Sequence, residues 1–198
     1  VSSNNKVISP QDGGPSFDFK NRILRLLWII TWWFFASWTP APLHRWRRFL
    51  LCLFGAKMGY RSDVRGTSRV WLPSNLVMAD HALIGPNVNC YNQALIKIGE
   101  RALISQGVHL CAGTHDIDDP KFALMGKPVL IGDFVWVAAD AFVGPACVIE
   151  EGAVVGARGV AFGRLSAWTV YAGNPVKPIR KRKLKRENIV LVVDEKIQ

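Results

Sequence analysis

IGDFVWVAADAFVGPACVIEEGAVVG, Ile131 to Gly156, places an aliphatic residue at Ile131, Val137, Val143, Ile149 and Val155, each six positions after the last. Three of the five precede glycine, as Ile131-Gly132, Val143-Gly144 and Val155-Gly156, and Val137 precedes Ala138. A period of six matches neither the 3.6 residues of a helical turn nor the alternation of a half-buried strand. It fits a solenoid in which each hexapeptide makes one short strand and one corner, and only stacking buries the aliphatic side chains. On this reading the small residue after each aliphatic one lets the backbone turn. Three hexapeptides close a triangular coil, so Ile131–Val148 and Ile149–Ser166 are two successive coils.

The same beat runs upstream. Ile98-Gly99, Ile104-Ser105 and Leu110-Cys111 make a coil that ends at His115, and Ile84-Gly85 with Cys90, then Val64, Val70 and Leu76, continue it more faintly. Slips between Leu76 and Ile84 and between Cys90 and Ile98 predict irregular early coils. The beat then stops after Leu110 and resumes at Ile131, so residues 116–130 leave the solenoid as a loop. Loops inserted at solenoid corners often form the binding face. Gly113-Thr114-His115-Asp116 stands at the mouth of this one. An imidazole there, with an unperturbed pKa of about 6.5, is placed to act as a general base. His44, His81 and His109 have no such placement.

A chain of 198 residues suits one solenoid domain with appendages. The division is a flexible N-terminus at 1–20, an aromatic and basic helical segment at 21–56, a β-helix at 57–166 carrying the loop 116–130, and a C-terminal cap with a basic tail at 167–198. Two readings of the helical segment stand side by side. Trp28, Trp32, Trp33 and Trp38 either cap the open end of the solenoid or, with Arg22, Arg25, Arg45, Arg47 and Arg48, hold the chain at a membrane surface. The apolar run from Leu26 to Trp38 falls short of the roughly 20 residues that span a bilayer. No secretory leader is recognisable, and Cys52, Cys90, Cys111 and Cys147 lack metal or redox spacing, so a reducing cytoplasm is expected. Net charge is +10, with Lys177, Arg180, Lys181, Arg182, Lys183, Lys185 and Arg186 in one run. No nucleic-acid-binding module accompanies that run, which points to an anionic small molecule or a membrane surface instead of nucleic acid.

With these features the chain resembles the hexapeptide acyltransferases, and among them the sugar O-acetyltransferases of exopolysaccharide (colanic-acid-type) biosynthesis. The resemblance covers about Leu50 to Arg182. It rests on Gly113-Thr114-His115-Asp116, on Pro128 through Ala138, on Val154-Val155-Gly156-Ala157-Arg158 and on Ala172-Gly173-Asn174-Pro175. It implies a left-handed parallel β-helix that assembles as a homotrimer with active sites between neighbouring solenoids. It also implies acetyl transfer from acetyl-CoA, with no metal, to a hydroxyl of a sugar or glycan. In that scheme His115 is the base, and Asp116 or a carboxylate of another subunit orients it. Trp136 flanks the pantetheine arm, the backbones of Ala139 and Ala157 bind its amides, and Arg180 meets the nucleotide phosphates. Tyr91 and Asn92, where the coil slips, are the candidate acceptor contacts. Relatives supply a serine hydroxyl just after the tryptophan; this chain has Ala138-Ala139, which leaves only backbone amides for the oxyanion. It also has Phe162-Gly163 where Thr-Lys is usual, so those contacts are either lost or replaced by Arg158 or Arg164.

Two other function classes share this solenoid. A γ-type carbonic anhydrase would gather His81, His109 and His115 on a zinc ion. A trimeric scaffold or membrane-docking protein would keep the fold and lose the chemistry. The spacing of His109 and His115 sets them on successive sides of the prism, which argues against the first. An intact His115 and the Gly173-Asn174-Pro175 segment argue against the second.

Overall fold

Strands of two or three residues stack into the three faces of a prism in this computed structural model, which describes residues 17–183. Most of the expected segment 1–20, and Lys185 and Arg186 of the basic run, lie outside the described residues. The first face stacks Lys57–Met58, Leu76–Met78, Ile96–Ile98, Val129–Ile131, Val148–Ile149 and Arg164–Leu165. The second stacks Asp63–Val64, Leu83–Ile84, Leu103–Ile104, Trp136–Val137, Val154–Val155 and Thr169–Gly173. Arg69–Val70, Asn89–Tyr91, His109–Cys111, Phe142–Val143 and Val160–Ala161 make the third. Pairing between successive coils is parallel throughout the prism.

The aliphatic beat becomes columns. Val64, Ile84, Ile104, Val137 and Val155 stand in register down the second face, each with no exposed surface. Burying one such side chain is worth about 1.5–3 kcal/mol, so the columns carry the fold. The early slips prove regular: Ile84 follows Val64, and Ile104 follows Ile84, by twenty residues instead of eighteen. The two extra residues always fall on the way to the first face. There Leu76 with Met78, and Ile96 with Ile98, point inward around the outward Val77 and Lys97.

A buried amide closes one of these wider corners. Asn92 accepts from the Leu72 N–H at 3.0 Å and donates to the Leu72 carbonyl at 2.6 Å. Backbone groups inside a corner have no water, so a side chain that satisfies both is structural.

The turning residue differs from expectation. Left-handed backbone falls three places after the aliphatic residue, at Arg61, His81, Arg101 and Phe134, with φ between 52° and 58°. The glycine directly after the aliphatic residue serves close approach instead. A Cβ on Gly99 would lie 2.5 Å from the Asp133 backbone nitrogen of the next coil.

Two helices cover the first coil. Helix α1, Phe19–Phe35, starts two residues before the expected boundary because Asp18 caps it, accepting from the Asn21 N–H at 3.0 Å. Helix α2 is His44–Leu53. Trp28, Trp32, Leu50 and Leu51 extend the buried core past Val64 and Val70. The indole of Trp28 donates to the Val70 carbonyl at 2.7 Å, and that of Trp32 to the Gly66 and Ser68 carbonyls. Arg47, fully buried, pairs bidentately with Asp63. The capping reading is therefore physically realised, yet the rest of α1 stays apolar and exposed: Phe19, Ile23, Leu26, Leu27, Ile29 and Trp33 face outward. Among the described residues, no helix is long and apolar enough to cross a membrane.

The solenoid runs past the expected end at residue 166, since Thr169–Gly173 still stacks on Val154–Val155. Gly173-Asn174-Pro175 then turns the chain into Val176–Lys181, which returns antiparallel. Arg182 donates to the carbonyls of Phe134 and Gly152, tying this end down. All four cysteines are free. Burial pushes the Cys90 thiol up to about 12 and the Cys147 thiol to about 11, so both act as small core residues.

Candidate active site

The excursion from the solenoid begins and ends about three residues earlier than the spacing predicts. Gly113–His115 pairs antiparallel with Leu124–Gly126, and the Lys127 N–H donates to the Ala112 carbonyl at 2.9 Å, closing the hairpin at its base. Residues 129–131 are already back in the first face. His115 thus sits within a hairpin strand and not at a bare corner. The excursion is still fifteen residues of added chain: Ile131 stacks on Ile98 thirty-three residues before it, where the next coil step is eighteen.

The tip of the hairpin fixes the imidazole. His115 Nδ1 lies 2.6 Å from the Phe122 carbonyl oxygen. A carbonyl only accepts, so Nδ1 donates to it, and in the neutral ring Nε2 is the nitrogen that holds the lone pair. Phe122 presents that carbonyl from a left-handed conformation, φ 47°, held by its own N–H on the Asp119 carbonyl. Asp116, one of the two orienting groups the resemblance offers, turns elsewhere within this chain: its carboxylate accepts from the Asp118 N–H at 3.1 Å, shaping the turn. The orienting acceptor is a backbone oxygen, which side-chain chemistry in a sequence does not display. His115 itself is exposed.

The residues expected around the cofactor gather on the second face. Trp136 is 43% exposed and its indole donates to the Ser105 hydroxyl at 2.9 Å. Ala139 and Ala157 occupy equivalent corners of successive coils, where the Arg158 N–H donates to the Ala139 carbonyl. The N–H groups of Ala139 and Ala157 donate to no backbone carbonyl among the described residues. Trp136, Val154, Val170 and Arg180 form one transverse row. Three strand spacings put Arg180 about 14 Å from Trp136. The Arg180 side chain is exposed and donates to the neighbouring Lys181 carbonyl at 3.1 Å; among the described residues it forms no ion pair.

This row and His115 are not brought together within one chain. The row lies on the second face, the hairpin leaves after the third, and the whole third face stands between them.

Of the two acceptor candidates, only Tyr91 keeps a surface. Its half-buried ring lies beside the hairpin base, where any side chain on Gly113 would meet it. Asn92 is wholly buried and its amide is spent on Leu72, so it reaches no acceptor; the slip that drew attention to it is the corner it closes. Gln93, which donates to the Tyr91 hydroxyl, was not legible as a site residue. Ser105, against Trp136, was likewise hidden in the repeat. His109 is stacked between Tyr91 and Phe142, and burial lowers its pKa, leaving it neutral near pH 7. His81 lies on another corner against Tyr60. Among the described residues, no three His, Cys, Asp or Glu side chains converge as a metal site requires.

Phe162, in place of the usual Thr, packs on Phe142. Arg164 is engaged with Glu150, whose carboxyl it holds below the usual range together with the Ala167 N–H. Arg158 is the freer of the two, 3.9 Å from Asp140.

No family model matches the chain. It is 42% identical over 159 residues, 80% of its own length and 87% of the relative's, to a protein of Escherichia coli K12 assigned to colanic acid biosynthesis as the acetyltransferase WcaF. The chain belongs to this family of hexapeptide-repeat acetyltransferases. Among solved structures, a hexapeptide-repeat acetyltransferase of Vibrio cholerae, crystallised with acetyl coenzyme A, superposes with a TM-score of 0.77 at 21% identity, over 86% of this chain and 93% of that one. A maltose O-acetyltransferase of Clostridium difficile gives 0.76 at 22% identity, over 84% and 90%. Those two likenesses establish the acetyltransferase's fold, a parallel β-solenoid with a short helical segment in front.

Proposed function

We propose that this acetyltransferase moves an acetyl group from acetyl-CoA to a hydroxyl of a sugar in a polysaccharide precursor, with His115 as general base. The hydrogen bond from His115 Nδ1 to the Phe122 carbonyl carries the reading, because in the neutral ring it leaves the lone pair on Nε2 of an exposed imidazole. Nε2 takes the hydroxyl proton as the sugar oxygen bonds to the thioester carbon. Collapse of the tetrahedral intermediate breaks the carbon–sulfur bond, and the imidazolium returns the proton to the departing thiolate, giving CoA and an acetyl ester. With alanines at 138 and 139, backbone N–H groups alone stabilise the oxyanion. Acetyl-CoA lies along the second face, its pantetheine beside Trp136, its amides on Ala139 and Ala157, and its phosphates toward Arg180, where a guanidinium suits them.

Because the Trp136 row and His115 lie on different sides of one prism, the working site is shared between neighbouring chains of a homotrimer. Each interface is then heterologous and three-fold closure yields three equal sites. Release of free thiol from acetyl-CoA should depend on an added glycan and reside in a species of three times the chain's 22.1 kDa. Glycan-independent or absent thiol release across acceptor classes would sink the activity; an active monomer would sink the shared site.

We propose that the trimer sits on the inner face of the cytoplasmic membrane, a reading supported by the exposed apolar side of α1. From Leu26 to Phe35 α1 has no charged residue yet leaves Leu26, Leu27, Ile29, Ile30, Trp33, Phe34 and Phe35 exposed. Such a segment, short of a span, suits the headgroup boundary, with the basic residues before it toward the lipid phosphates. Three copies per trimer add avidity. Full-length protein should co-sediment with anionic vesicles at moderate salt, and Trp33→Glu with Phe34→Glu should abolish this without lowering the melting temperature, since both rings are already exposed. Failure of the unaltered chain to bind vesicles would remove the membrane from the account.

A further inference from the structure

Between α1 and the start of the third face lies a groove of about 390 Å³, within the size range of small-molecule sites. Trp28, Ile29, Trp32, Trp33, Val70 and Trp71 make its apolar walls, and Arg25 and Arg69 supply its cations. None of these residues belongs to the Trp136 row or to the hairpin.

Its charge is uncompensated. Arg25 lies with its guanidinium 4.0 Å over the Trp71 ring, and its Nε is buried without a hydrogen-bond partner. Burial lowers the Arg25 pKa, with Tyr91 opposing. Arg69 is exposed, and neither arginine forms an ion pair among the described residues. Asp63, on the preceding strand of the same coil, is taken by Arg47 and Arg65. An apolar slot flanked by two cations lacking counter-charges fits an amphiphile with an anionic head.

One wall says where that amphiphile comes from. Ile29 and Trp33 line the groove and are also 54% and 65% exposed, so the slot opens directly onto the apolar side of α1. We infer that the groove is a phospholipid site, seating one acyl chain of an anionic bilayer lipid with its phosphate on Arg25 and Arg69. The inference rests on the membrane-surface placement proposed above. It converts general adhesion into recognition of a headgroup charge, one lipid per chain, and it fixes the rotation of α1 on the bilayer.

Full-length protein titrated with monomeric dihexanoyl phosphatidylglycerol should show saturable quenching or enhancement of tryptophan fluorescence, one lipid per chain. Affinity should be at least tenfold above that for dihexanoyl phosphatidylcholine. Arg69→Glu, an exposed position that leaves the fold intact by melting temperature, should erase that preference. Equal affinity for the two lipids, or no saturable signal from a chain that still binds vesicles, would overturn the groove while leaving surface adhesion standing. A chain that ignores vesicles as well would overturn both. Farnesyl phosphate binding more tightly than phosphatidylglycerol would reassign the groove to a prenyl phosphate and refute the bilayer source.

Discussion

His115→Ala is expected to lower kcat by about 10²–10⁴-fold, the range for loss of a general base. A sugar hydroxyl is a weak nucleophile at neutral pH, so the proton must leave as the new bond forms. The nearest alternatives are poorly placed: Asp116 is folded back onto the Asp118 N–H, and His109 packs between Tyr91 and Phe142. Affinity for CoA, measured by calorimetry, should stay within a few-fold of the parent, because in the proposed site the imidazole acts on the sugar hydroxyl while the Trp136 row holds the pantetheine and phosphates. A KM change for acetyl-CoA as large as the kcat loss would instead mean that the hairpin shapes the cofactor site. Unchanged turnover would take His115 out of the reaction. Asp116→Asn separates the two orienting groups: its amide oxygen still accepts from Asp118, so kcat should fall far less than in His115→Ala.

What was readable in the sequence followed from what the solenoid repeats. Ile131, Val137, Val143, Ile149 and Val155 recur because each points inward from the three faces taken in turn, Ile149 stacking on Ile131 and Val155 on Val137, and the columns declare themselves through spacing alone. The length of the excursion was equally plain, since extra chain between in-phase residues has to leave the prism. Its boundaries were not. Whether residues 113–115 end a coil or begin a hairpin depends on pairing with Leu124–Gly126, a contact between segments that carry no periodic signal. Asn92 misled for a related reason. A polar residue where a repeat slips marks a place that needs backbone satisfaction as readily as one that faces a ligand, and only burial decides between them. The Phe122 carbonyl was beyond reach altogether, because every residue has a carbonyl and only φ at Phe122 aims this one at His115. The N-terminal tryptophans were read as cap or membrane surface. Trp28 and Trp32 close the core while Trp33 and Trp38 remain outside, so neighbours on one chain segment meet different surroundings and composition alone cannot separate them.

Arg47→Ala should be among the most destabilising single changes in the described residues, at about 3–5 kcal/mol, the cost of stranding one partner of a buried ion pair. Arg47 has no exposed surface and donates to both Asp63 oxygens, to the Val64, Pro40 and Ala41 carbonyls and to the Thr39 hydroxyl. One guanidinium therefore holds α2, the connection between the helices and the first strand of the second face in fixed relation. Alanine leaves the Asp63 carboxylate enclosed with only Arg65, 3.3 Å from its other oxygen, to balance it. A domain of this size loses roughly 2–4 °C per kcal/mol, so the calorimetric midpoint should fall by roughly 6–20 °C. Lysine should rescue little, since one ammonium cannot reproduce a planar fork of donors. Arg47→Met combined with Asp63→Leu should recover a large part of the loss, because removing both charges removes the desolvation penalty along with the pair. The exposed pair Arg164–Glu150 provides the contrast, and Arg164→Ala should leave the midpoint where it was. Limited proteolysis distinguishes the physical outcomes. If the latch is what docks the helices, Arg47→Ala should be cut first between α1 and α2 while the coils from Leu76 onward stay protected by their own stacking. Simultaneous loss of all the coils at the parent midpoint would show that the helices contribute nothing to holding the first coil closed.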